Sequence, residues 1–212
     1  MRRVLLVVAL LASVSARGSV VILGDSVARG EGDEIGRGIA GGLATISQTR
    51  VTNLGINGAR TANVLRLLSQ PATRDAVRRA SVVVLSIGGN DLFGSAIERW
   101  RAMLAPRLAT RFAAARVARV VTRIRRINPS ARIILLGLYN PYRRGSLGEW
   151  VDVQVARWDS RIIATFATVR AVTVIRITDL LVKPRTISVD RFHPSAAGYR
   201  AIAERVWSAI AP

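Results

Sequence analysis

A chain of 212 residues, half of them apolar, has the material for one domain with a sizeable core. It contains no cysteine and one histidine, which excludes disulfides, cysteine nucleophiles and thiolate metal sites and leaves only carboxylates plus His193 for a zinc centre, so none is expected. The net charge of +19 comes from arginines spread along the chain, with Lys183 the only lysine, so it predicts weak attraction to anionic membrane or cell-envelope polymer and no specific nucleic-acid footprint.

The chain begins MRRVLLVVALLASVSARG: two arginines, an apolar run from Val4 to Ala12, then small residues ending Val14-Ser15-Ala16. This is the layout of a secretory signal peptide, residues 1–16, with cleavage after Ala16. The run falls short of the ~20 apolar residues that span a bilayer, and an uncleaved N-terminal anchor is the alternative. Without a cysteine near the cleavage point, a lipid-anchored lipoprotein is not expected. The catalytic or binding domain is therefore expected over 17–212.

From residue 19 onward, short apolar β-branched runs alternate with helical patterns, the signature of βαβ units and a parallel sheet. The first strand, 19–23, runs into Gly24-Asp25-Ser26. A serine after a strand and a glycine presents its hydroxyl at the sheet edge, where it either caps a helix or, beside a base, acts as a nucleophile. A helical stretch follows over 36–46. The second strand, 50–54, leads into NLGING, Asn53 to Gly58, and the helical pattern 61–80 is expected to break at Pro71. The third strand, 81–87, ends in Gly88-Gly89-Asn90-Asp91, and a long helical pattern covers 95–127. At a strand end the Asn90 amide can stabilise an oxyanion, or GND can be plain turn chemistry. Asp91 is expected to hydrogen-bond its loop. The fourth strand, 131–138, passes into GLYNPY, followed by a helix over 147–168, a fifth strand over 171–177 and a last helix over 195–210. Near-continuous apolar strands imply a sheet covered on both faces, and ligands of open parallel sheets bind beyond the carboxyl ends of the strands. The polar and glycine-rich residues gather on that one edge.

Before the last helix the chain reads DRFHP. Asp190 and His193 stand three residues apart, close enough for the carboxylate to orient the imidazole and stabilise its charged form. An exposed histidine beside an unrelated aspartate is the plainer alternative for this segment alone. One decoy is Gly36 to Gly41, GRGIAG, which fits G-x-G-x-x-G; it does not follow a strand directly, and the second strand ends with Asn53 in place of the acid that would hold a ribose.

Taken together, ILGDSVARGEG, NLGINGART, SIGGND and DRFHPSAAGY resemble the SGNH hydrolases, also called the GDSL esterase/lipase family, over 19–212. The resemblance implies a three-layer α/β/α sandwich with a flavodoxin-like five-stranded parallel sheet of order 2-1-3-4-5. It implies Ser26 as nucleophile, His193 as base and Asp190 as orienting acid. The oxyanion hole would be the Ser26 N–H, the Gly58 N–H and the Asn90 amide; Gly58 is chosen over Gly55 because the family's glycine lies a few residues beyond the strand's asparagine. The implied activity is a serine esterase or lipase working through an acyl-enzyme, without metal or cofactor, on lysophospholipid, short-chain acyl or acetylated-glycan esters. Tyr139, Tyr142 and Trp150, in or after the loop that leaves the fourth strand, are candidates for a substrate pocket or for simple packing. A second class stays open: a catalytically silent module of the same fold, docking on anionic polymer or lipid.

Overall fold

The computed structural model describes residues 18–143 and 145–211. The expected export segment, 1–16, lies outside them. Strands β1 (Ser19–Gly24), β2 (Val51–Gly55), β3 (Ala80–Ser86), β4 (Arg132–Leu136) and β5 (Val172–Ile175) form one sheet, every neighbouring pair parallel, in the order β2-β1-β3-β4-β5. This is the expected order.

Successive strand side chains point to opposite faces, so each strand feeds two cores. Val21, Leu23, Val83, Leu85, Ile133 and Leu135 enter one; Val20, Ile22, Val82, Val84, Ile134 and Leu136 enter the other. Burial on both faces is why the strands carry unbroken apolar runs.

The helices are α1 (Ser26–Arg29), α2 (Gly38–Ser47), α3 (Thr61–Leu67), α4 (Pro71–Arg79), α5 (Gly89–Phe93), α6 (Ala96–Leu104), α7 (Pro106–Ile127), α8 (Gly148–Phe166) and α9 (Ala196–Ile210). The first core is closed by side chains of α3, α4, α7 and α8, with Trp158 and Ile162 of α8 fully buried. The second is closed by α1, α2 and α9, with Tyr199, Ile202 and Val206 of α9 buried. Short 3₁₀ turns at Thr178–Leu181 and Pro184–Thr186 connect β5 to the segment before α9.

Pro71 opens α4, as expected. The helix expected over 95–127 is a pair instead: Ala105 leaves the helical region at φ −138° and ψ 60°, and Pro106 starts α7. Proline disfavours helical backbone in the residue before it and lacks the N–H that the first helical position does not need. The strands expected over 131–138 and 171–177 are shorter, 132–136 and 172–175: Gly137 still donates its N–H to the Ile175 carbonyl at 2.8 Å, but Leu138 and Ile177 are apolar and lie beyond the pairing. Among the described residues no helix is long and apolar enough to cross a membrane.

Candidate active site

The nucleophile candidate sits where β1 meets α1. Gly24 has φ +139°, and a Cβ there would stand 1.8 Å from the Ser86 carbonyl oxygen of β3, so only glycine brings the two strand ends this close. The next residue, Asp25, donates its N–H to the same carbonyl at 3.0 Å. Its Oδ1 accepts from the Val27 N–H and from Ser86 Oγ, both at 3.1 Å, so Asp25 caps α1. The cap weighed for Ser26 therefore belongs to its neighbour, and the Ser26 hydroxyl lies 3.0 Å from His193 Nε2. Burial pushes the Asp25 carboxyl up to about 6 despite the hydrogen bonds it accepts.

His193 arrives on irregular chain between the second 3₁₀ turn and α9, closed by an isolated antiparallel bridge between Ile187 and Pro194. Its Nδ1 is 2.6 Å from Asp190 Oδ2. A carboxylate at Nδ1 keeps the hydrogen there and leaves the Nε2 lone pair toward Ser26. The other carboxylate oxygen, Oδ1, accepts from the N–H groups of Phe192 at 2.8 Å and His193 at 2.9 Å and from Ser188 Oγ at 2.5 Å. Partial burial alone would raise this carboxyl; the Ser188, His193 and backbone hydrogen bonds outweigh it and hold Asp190 well below the ordinary carboxylate range. The turn demands a left-handed Arg191, φ +58°.

Two supports of this segment come from elsewhere in the chain. Gly32, φ +85°, packs so closely that a Cβ would meet His193 Cβ at 2.6 Å and Ser188 Oγ at 2.9 Å. Tyr199 of α9 holds that turn through a hydroxyl donated to the Glu31 carbonyl at 2.6 Å. Tyr139 donates its hydroxyl to the Phe192 carbonyl at 2.7 Å, and its ring packs against the second core. It thereby pins the segment that carries His193.

The candidate amide donors follow the ends of β2 and β3, the two strands that flank β1. Asn90, in the first turn of α5, donates one Nδ2 hydrogen to the Ala59 carbonyl at 3.0 Å, which ties it to the residue after Gly58 and leaves its second hydrogen without an acceptor among the described residues. Asp91 is buried and accepts from the Thr61 N–H at 3.0 Å and Thr61 Oγ1 at 2.7 Å, so its hydrogen bonds tether the segment after β2 and not, as expected, its own loop. Gly55 and Gly58 separate cleanly. The Gly55 N–H is spent on Asn53 Oδ1 at 2.9 Å, and a Cβ at Gly55 would strike the Arg29 backbone of α1. Gly58, exposed at φ +68°, donates to no acceptor among the described residues. Gly88, φ +115°, lies against the Trp158 ring, where a Cβ would meet it at 2.6 Å.

Tyr142 lines a groove of about 800 Å³ with Pro141, Leu181, Lys183, Ile187 and Phe192, and its ring meets Phe192 edge-on at 5.9 Å. Asp190 also lines this groove, whereas Ser26 and His193 do not. Trp150 stacks edge-on with Phe93 at 6.3 Å. In the GRGIAG stretch a Cβ at Gly38 would strike Gly30 Cα, and just beyond the stretch one at Gly42 would strike the Ala203 side chain of α9. Asp33 Oδ2 already accepts from the Arg37 and Gly38 N–H groups, where a phosphate-binding turn would offer them to a ligand. Among the described residues no group of three or more His, Asp or Glu side chains gathers as a metal site would.

The arrangement has counterparts among known proteins. The model of the GDSL-like Lipase/Acylhydrolase family matches residues 22–201. The uncharacterized protein YpmR of Bacillus subtilis (strain 168) is 26% identical over 206 residues, which cover 90% of this chain and 80% of that protein. The spore germination lipase LipC of Bacillus licheniformis is 24% identical over 164 residues, 72% of this chain and 74% of LipC. Among solved structures, the lipase Lip_vut3 from a goat rumen metagenome superposes with a TM-score of 0.76 at 22% identity, over 91% of this chain and 97% of that one.

Proposed function

This chain belongs to the GDSL-like lipase/acylhydrolase family, an ester hydrolase family, and from that premise we propose that it cleaves carboxylic esters by a serine mechanism centred on Ser26. The observation that carries the reading is the hydrogen-bonded chain Ser26 Oγ, His193, Asp190, at 3.0 Å and 2.6 Å. His193 Nε2 takes the Ser26 proton as Oγ attacks the ester carbonyl carbon. The resulting imidazolium is stabilised by Asp190, an anion at neutral pH by virtue of the hydrogen bonds it accepts. The oxyanion is received by the N–H groups of Ser26 and Gly58 and by the second Asn90 amide hydrogen.

When the carbonyl re-forms, the alkoxy group leaves with the proton from His193, and the acyl group stays on Ser26. Water, deprotonated by His193, then attacks the acyl-enzyme and releases the carboxylic acid. Ester and water are consumed, alcohol and acid are made, and the enzyme's proton inventory is restored. Substrates fitting this chemistry are acyl esters of lipids such as lysophospholipids, short-chain acyl esters and acetylated glycans. Export through the N-terminal segment belongs to the same reading and would bring the enzyme to envelope or external esters.

Replacement of Ser26 by Ala tests the mechanism. Turnover of a chromogenic short-chain ester should fall by about 10⁴-fold or more while the thermal unfolding midpoint stays within a few degrees. Retained turnover would refute the role of Ser26.

A further inference from the structure

Helix α6 wears its apolar side outward. At about 100° per residue, Glu98 and Ala102 fall on one side of it, and that side faces the protein: Ala102 is 3% exposed and Glu98 is engaged by Arg60. The opposite side carries Ile97, Trp100, Met103 and Leu104, exposed by 62, 61, 54 and 79%. The stripe continues onto the first turns of α7, where Leu108 and Phe112 lie opposite the buried Thr110, Ala113 and Val117. Single exposed apolar residues are ordinary, but six within sixteen residues of two consecutive helices call for a partner.

The charge around these residues says which partner. Arg99 and Arg101 fall on the two flanks of the α6 stripe, and Arg107 and Arg111 follow on α7. Across residues 95–127 the sole acid is Glu98, and it is held in a two-pronged ion pair by Arg60, at 3.0 and 3.2 Å. Among the described residues Arg101, Arg107 and Arg111 pair with no acid. A second copy of this chain would bring a like-charged arginine rim against this one. An outward tryptophan, leucine and phenylalanine stripe bordered by arginines suits an anionic lipid surface, where the rings sink to headgroup depth and the guanidinium groups meet phosphate.

We infer that α6 and the start of α7 form a docking surface for anionic bilayers. Position adds to composition. The Arg60–Glu98 pair ties the inner side of α6 to the loop that carries Gly58, two residues before Arg60. A bilayer against the outer side is then about one helix diameter, roughly 10–12 Å, from that loop. Docking brings the rim of the candidate site to the lipid headgroups, and it does not depend on how the site acts.

The test is cosedimentation of the Ser26→Ala protein, which leaves lipid intact if the serine reading holds, with vesicles of phosphatidylcholine carrying about 30 mol% phosphatidylglycerol. Binding is expected, and it should weaken roughly tenfold or more when Trp100→Ser and Leu104→Ser are combined and again when Arg101→Gln and Arg107→Gln are combined. On an otherwise unaltered chain, the Trp100→Ser/Leu104→Ser pair should leave hydrolysis of a soluble chromogenic ester unchanged. Absence of vesicle binding would overturn the surface, as would binding indifferent to both pairs of substitutions. A concentration-dependent dimer dissolved by the Trp100→Ser/Leu104→Ser pair would assign the face to a second copy and overturn it equally. Failure of soluble-ester turnover in the unsubstituted protein would count against the serine reading and leave the docking surface untouched.

Discussion

Two aspartates flank the candidate site, and the fold pushes them in opposite directions. Asp25 is 6% exposed between the ends of β1 and β3, and burial raises its carboxyl to about 6. Asp190, its side chain 41% exposed on irregular chain, is held low by the hydrogen bonds it accepts. The contrast extends to their neighbours. Ser26 is placed by the core: a glycine pressed on a neighbouring strand, a buried cap and two parallel strands. His193 is placed by local hydrogen bonds, by the Tyr139 hydroxyl and by a single close approach at Gly32. Damage to the first half should appear in stability, and damage to the second in activity.

Gly24→Ala would strike the core-built half hardest. A methyl 1.8 Å from the Ser86 carbonyl, on backbone at φ +139°, must part β1 from β3. A loss of about 4 kcal/mol or more is expected, enough to leave a marginally stable domain largely unfolded in a thermal melt. A soluble variant with near-native stability and activity would show that strand closure does not set the place of Ser26.

The pH dependence of stability isolates Asp25. Its folded value of about 6 lies above the unfolded value near 3.9, so between about pH 4 and 6 the folded chain keeps a proton that the unfolded chain releases, and stability falls as pH rises. Buried Asp159, also raised to about 6 by burial, acts in the same window. Asp190 has the opposite sign: its contribution is present above its unfolded value and lost as pH falls below it. Asp25→Asn keeps an acceptor for Val27 and Ser86 without titrating, so the decline between pH 4 and 7, measured by urea unfolding, should shrink by as much as about 3 kcal/mol. An unchanged pH profile would remove the buried charge from the account.

On the loop half, Tyr139→Phe deletes one hydroxyl and leaves the Phe192 carbonyl without its donor. Stability should drop by only about 1 kcal/mol. Turnover should fall several-fold with little change in KM, because the base is displaced from the nucleophile and no substrate contact is lost. If KM rises alone, Tyr139 belongs to the binding pocket and the contrast between the halves weakens.

The residues that came together were legible because the strands announced themselves. Fully buried strands produce long apolar runs, and the polar residues just beyond them, Ser26, Asn90 and the loop ending at Gly58, had one edge to occupy. The Asp190–His193 spacing encoded a local turn, and local turns survive in sequence. What stayed hidden depends on pairs distant in the chain. Asp25 takes over the cap because Ser86, 61 residues away, supplies it with a second hydrogen bond. Gly32 is small because His193 lies on it. Tyr139 turns to Phe192, 53 residues on. Helices α1 and α5, of 4 and 5 residues, are too short to show a period. The break at Pro106 was masked because the arginine and apolar pattern continues on both sides of it.

The most direct measurement is covalent labelling of the intact protein with a fluorophosphonate, read by mass spectrometry at residue level. One adduct is expected, on Ser26, absent in Ser26→Ala and formed about 10³-fold or more slowly in His193→Ala, since no other imidazole exists to replace the base. An adduct that persists without Ser26, or one that forms on Ser26 at an unaltered rate without His193, would contradict the account.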